Sequence, residues 1–202
     1  MNAIRILASL ATTLVLALGA APAQAALYVH NDPAGDVATT TCSDPTQADT
    51  CENSDAGEVT SGDITRIRIR HTDTEVRVRI KFADLTVERV RGQYLKFHTN
   101  EGINRTVQAV VRVGWRKPSA VSLLRPSGDI VACRGLAATY DLDADVIVFV
   151  VPRSCLSNPR WVRVAVGAYE VAAAPAGFTL DDAQNQGLGA SGLAWSPRVR
   201  RG

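Results

Sequence analysis

Asp32, Asp36 and Asp63 stand in Asp32-Pro-Ala-Gly-Asp36 and Gly62-Asp63-Ile64, loop-like contexts that carry short acidic side chains. Flexible Asp-rich loops can supply the roughly six to eight oxygens that calcium takes, which makes these three candidate ligands of a structural calcium. The competing reading is that each carboxylate caps its own turn. Asp141, Asp143 and Asp145 begin like an EF-hand loop, yet the sixth position is Val146 instead of Gly and the twelfth is Pro152 instead of Glu. That motif fails.

A second set of residues is basic. Arg66, Arg68 and Arg70 alternate along one run, and Arg77, Arg79 and Lys81 alternate along the next. With His71 to Thr74 as the turn, residue 70 faces 77, 68 faces 79 and 66 faces 81. All six charges then share one hairpin face, and Ile67, Ile69, Val76, Val78, Ile80 and Phe82 share the other. Like charges directly opposed across a sheet are destabilising. Either nearby carboxylates neutralise them, or the face is an anion site, for which Arg is suited by its bidentate contacts to phosphate and carboxylate.

The distribution of charge sharpens that choice. Residues 26 to 63 carry eight acids and no Lys or Arg, residues 64 to 118 carry thirteen bases against five acids, and the remainder carries eight bases against seven acids. The regional balances are −8, +8 and +1, which with Arg5 make the formal net charge of +2, and that small total conceals a dipole. No whole-molecule field calls for nucleic acid or a membrane. The acidic segment is itself a candidate cover for the basic face.

The cysteines number four, at 42, 51, 133 and 155. An even count suits an oxidising compartment. Cys133 and Cys155 are symmetric about residue 144, inside the turn-like Tyr140-Asp-Leu-Asp-Ala-Asp145, so a hairpin centred there sets them opposite each other. Cys42 and Cys51 then close a short polar loop. Zinc is the rival reading, but neither C-x-x-C pairs nor closely spaced His are present. The only histidines, His30, His71 and His98, are far apart in sequence, and no G-x-S-x-G or H-E-x-x-H motif accompanies them. The residues therefore point away from an enzyme, with a hydrolase of unrecognised type as the remaining alternative.

These groups must be positioned by strands. Period-2 alternation recurs through the chain and helical periodicity does not, which predicts an all-β fold. The candidate strands are 26–30, 64–71, 75–83, 93–99, 105–115, 119–125, 130–139, 146–151 and 160–171. About nine antiparallel strands imply a disulfide-bonded sandwich of two sheets. Residues 31 to 62 read as an irregular acidic excursion, and 172–202 as an Ala- and Gly-rich tail whose Trp195 docks back on the domain. Residues 1–25 hold Arg5, an apolar run and Ala23-Gln24-Ala25, the layout of a cleaved signal peptide. A single domain over 26–202 follows, secreted and extracytoplasmic, with no membrane span after processing. Ser61-Gly-Asp-Ile64 recurs as Ser127-Gly-Asp-Ile130, which an internal repeat or shared turn chemistry would explain.

The run from Asp32-Pro-Ala-Gly-Asp36 through Gly62-Asp63-Ile64 to Phe82-Ala-Asp-Leu85 resembles the opening of secreted bacterial β-sandwich accessory modules of the carbohydrate-binding, DOMON-like kind. The resemblance covers residues 32 to 85. It implies a binding role for sugar, haem or calcium. The chain departs from the sugar-binding pattern in its low aromatic content of 5%. The expected function is thus a non-catalytic binding module for an extracellular polyanion or glycan, with no specific nucleic-acid partner and the oligomeric state left open. The alternative is a structural or inhibitory protein that contacts another protein through its disulfide loops.

Overall fold

The computed structural model describes residues 26–42, 51–55, 60–86, 88–172, 177–185 and 192–202. The expected signal peptide, residues 1–25, lies outside the described residues. Two antiparallel sheets organise the rest. The first has the order β1 (Ala26–Asn31), β4 (Ile64–His71), β5 (Glu75–Phe82), β11 (Val146–Pro152) and β10 (Ala137–Asp141). The second has the order β3 (Cys51–Asp55), β2 (Ala38–Cys42), β13 (Gly177–Asp182), β12 (Trp161–Ala172), β6 (Val90–Thr99), β7 (Asn104–Val111), β8 (Ala120–Leu124) and β9 (Ile130–Val131). β14 (Val199–Arg200) adds to β12. No helix among the described residues is long and apolar enough to cross a membrane.

The two sheets share one core. Ile67, Ile69, Val78 and Ile80 of the first cluster with Leu95, Phe97, Val164 and Val166 of the second. On β4 and β5 burial alternates with exposure residue by residue, as the sequence period requires. Burying each such aliphatic side chain contributes about 1.5–3 kcal/mol, and a slip of one residue would turn them all to solvent. That cost pins the hairpin register, which pairs Arg70 with Arg77, Arg68 with Arg79 and Arg66 with Lys81, as the alternation predicts.

The hairpin of β10 and β11 pairs Asp141 with Val146, and Cys133 is joined to Cys155 with their Cα atoms 5.6 Å apart. Cys42 and Cys51 are backbone partners across β2 and β3. Their side chains lie outside the described ones.

Four expectations need correction. Fourteen strands occur among the described residues instead of about nine. The segment 31–62, expected to be irregular, holds β2 and β3, and the tail 172–202 holds β13 and β14. Ala-Thr-Thr-Thr-Cys and Cys-Glu-Asn-Ser-Asp show no apolar-polar alternation, and Gly-Phe-Thr-Leu-Asp-Asp alternates only from Phe178 to Asp181. These segments are strands because neighbouring strands offer a ladder, an effect of tertiary context on a weak local preference. Conversely, the candidate strand 130–139 breaks at a turn in which Gly135 has φ 89° and Leu136 N–H donates to Cys133 C=O.

Candidate functional site

At one end of the sandwich the chain crosses from β1 to β2, enters β4 and leaves β13, and each passage delivers an aspartate. Ligand oxygens of Asp32, Asp36 and Asp181 lie within 4.8 Å of one another. Asp32 and Asp181 are buried and Asp36 is half-buried. Asp63, fully buried, stands beside them: its Oδ2 accepts the Gly35 N–H at 2.7 Å, which fixes the loop that carries Asp32 and Asp36. Gly35 takes φ 84°, a conformation natural to glycine. Asp181 Oδ2 accepts the Ile64 N–H at 2.5 Å and so ties β13 of one sheet to β4 of the other.

Four buried oxygens of this cluster accept no hydrogen bond: both of Asp32, Oδ1 of Asp63 and Oδ1 of Asp181. A basic group stands beside Asp32: His30 Nε2 lies 3.9 Å from Asp32 Oδ1. Buried carboxylates without donors are costly unless a cation or a proton neutralises them. Desolvation, reinforced by Asp181, Asp36, Asp182 and Asp63, pushes the Asp32 carboxyl up to about 9. Desolvation likewise raises Asp181 to about 7 against the opposing Ile64 hydrogen bond. Burial also raises Asp63, with the Gly35 hydrogen bond opposing. Hard carboxylate oxygens supplied by two loops and a strand end fit calcium in type and adaptability.

The site therefore unites Asp32 and Asp36 from the sequence-based set and adds Asp181. Asp63 stands outside that group of three: its Oδ2 positions the loop and its Oδ1 is left unpartnered. Asp181 sits in a segment read from sequence as tail, and its Asp181-Asp182 doublet was the available signal. Asp182 is spent otherwise, accepting from Gln184 N–H at 3.2 Å and Ala194 N–H at 2.7 Å.

The basic face lies on the outside of the first sheet. Arg66, Arg68, Arg70, Arg77 and Arg79 are exposed and Lys81 is half-buried. Lys81 Nζ meets Asp145 Oδ2 at 3.1 Å and Arg77 Nη2 meets Glu75 Oε1 at 2.9 Å. Among the described residues no ion pair reaches Arg66, Arg68, Arg70 or Arg79. Strand β3, with Glu52 and Asp55, lies at the edge of the other sheet beside β2.

The three histidines occupy separate environments. His30 is beside the aspartates, buried His71 donates Nδ1–H to Val199 C=O at 3.0 Å, and His98 contacts Asn104 and the rings of Trp161 and Trp195. Trp195 borders a groove of about 320 Å³ lined also by Lys96, Asn104, Arg105 and Thr106. No family model and no curated protein matches the chain.

Proposed function

We propose that the chain is a secreted, non-catalytic binding module whose two sheets are clamped by calcium and whose ligand is extracellular and anionic. The observation that carries the clamp is the group of buried, unpartnered oxygens on Asp32, Asp63 and Asp181, with Asp36 beside them. The charge left over on the five-stranded sheet supports an anionic ligand. The DOMON-like resemblance over residues 32 to 85 agrees with a binding role.

Thermal melting of residues 26–202 in calcium and in excess chelator tests the clamp. A ligand at a hundredfold excess over its dissociation constant stabilises the folded state by about 2.7 kcal/mol, so calcium raises the melting temperature by several degrees. Asp32→Asn and Asp181→Asn each abolish that difference. Identical melting with and without calcium defeats the clamp. The groove at Trp195 favours a second reading, a neutral glycan stacked on the indole, which Trp195→Ala tests by loss of glycan retention.

A further inference from the structure

The register of the first sheet orders its outer face into rows. One row reads Val29, Arg68, Arg79, Val148, and the next reads Leu27, Arg70, Arg77, Val150. Two arginine columns therefore run along adjacent strands, walled by aliphatic columns from β1 and β11. Leu27 is 53% exposed. Along each strand the charges recur about every 6.6–6.8 Å, and the strands lie about 4.8 Å apart.

We infer that this strip binds a linear, extracytoplasmic polymer bearing phosphate groups, with phosphates held between the opposed guanidiniums of Arg68 with Arg79 and Arg70 with Arg77. The inference rests on the binding-module reading and names the ligand class and its site. A strip two columns wide suits an extended chain. Each opposed pair presents ten N–H donors on two forks; a planar carboxylate turns both its oxygens to one fork, whereas the tetrahedral phosphodiester linking successive units can direct one non-bridging oxygen to each. The opposition of like charges, unfavourable in the free protein, becomes favourable when an anion lies between them. The aliphatic walls exclude water from its sides and strengthen the attraction.

Residues 26–202 are tested in calcium against poly(glycerol phosphate), against alginate as a carboxylate polymer, and against phosphatidylglycerol vesicles. The wild type binds poly(glycerol phosphate) with an affinity that falls steeply with salt. Arg68→Gln with Arg79→Gln weakens it tenfold or more and lowers the slope of log K against log salt by about 0.7, since the pair holds one phosphate of a flexible strand. The double variant melts no lower than wild type, because a like-charge pair is gone. Arg125→Gln with Arg134→Gln, exposed elsewhere on the surface, changes binding little. Equal loss in both variants, tighter binding of alginate, or binding of vesicles alone overturns the inference. Melting recorded in calcium and in chelator on the same samples separates the outcomes. A retained calcium shift without polymer binding sinks the phosphate strip alone, and loss of the shift sinks the clamp.

Discussion

Asp32 sits where ionisation is opposed by its surroundings, and the pH dependence of stability follows from that. Its carboxyl is pushed to about 9 and that of Asp181 to about 7, against an ordinary value of 3.8. Between the ordinary and the raised value the folded protein holds protons that the unfolded chain releases. Stability contributed by these groups is therefore fully present below pH about 4 and is lost as pH rises through 7 and 9. Calcium held by the proposed clamp would reverse the sense, since it would bind the ionised carboxylates. In chelator the melting temperature falls from pH 5 to pH 9, and the increment from calcium grows over the same range. A calcium increment that does not grow with pH would contradict this placement of the charges. Asp32 and Asp36 were legible as a pair because one turn holds both. The contribution of Asp181 was not, since it depends on β13 reaching β4 across the sandwich.

The turn from Thr60 to Ile64 shows how an element sets such a site. Gly62 adopts φ 80°, and a Cβ there would lie 3.1 Å from Glu170 Cγ, while Ser61 Oγ donates to Glu170 Oε2 at 2.8 Å. Gly62→Ala therefore meets both an unfavourable backbone conformation and a buried neighbour, and we expect a loss of about 1–3 kcal/mol in denaturant unfolding. A neutral effect would mean that Glu170 yields. The second Ser-Gly-Asp turn shares the positive-φ glycine, Gly128 at 88°, but stands in an open position and its serine bonds locally, Ser127 Oγ donating to Asp129 Oδ2 at 2.7 Å. At the opposite end of the first sheet the Cys133–Cys155 bridge ties the chain before β10 to the 3₁₀ turn Arg153–Leu156. Cys133→Ser with Cys155→Ser costs roughly 2–4 kcal/mol, read from the shift of the denaturation midpoint. The β4–β5 register and this bridge could be read from sequence because each rests on local alternation about a turn. Strands β2, β3 and β13 could not, because long-range pairing makes them strands.

Across the whole molecule the two ends of the sandwich are held by different chemistry. The aspartate end joins the sheets through the Asp32–Asp36 crossover and Asp181, and the other end carries the disulfide and the Arg153 N–H donating to Thr74 C=O at 2.9 Å. Removing calcium leaves the second set of contacts intact, so its effect should be local. Opening free energies vary across a native protein, and segments held by few contacts open first. Amide hydrogen exchange in chelator should therefore quicken at Gly35, Ile64 and Asp32, whose N–H groups donate to Asp63, Asp181 and Thr65 C=O respectively. It should stay unchanged at Arg153 and at Asn158, which donates to Arg153 C=O at 2.9 Å. Acceleration of all five amides together would show that the ends unfold as one unit, and the ion would then be a global stabiliser. No acceleration at Gly35 and Ile64 would mean that the aspartates hold no calcium, because protons alone would then suffice to keep the sheets joined.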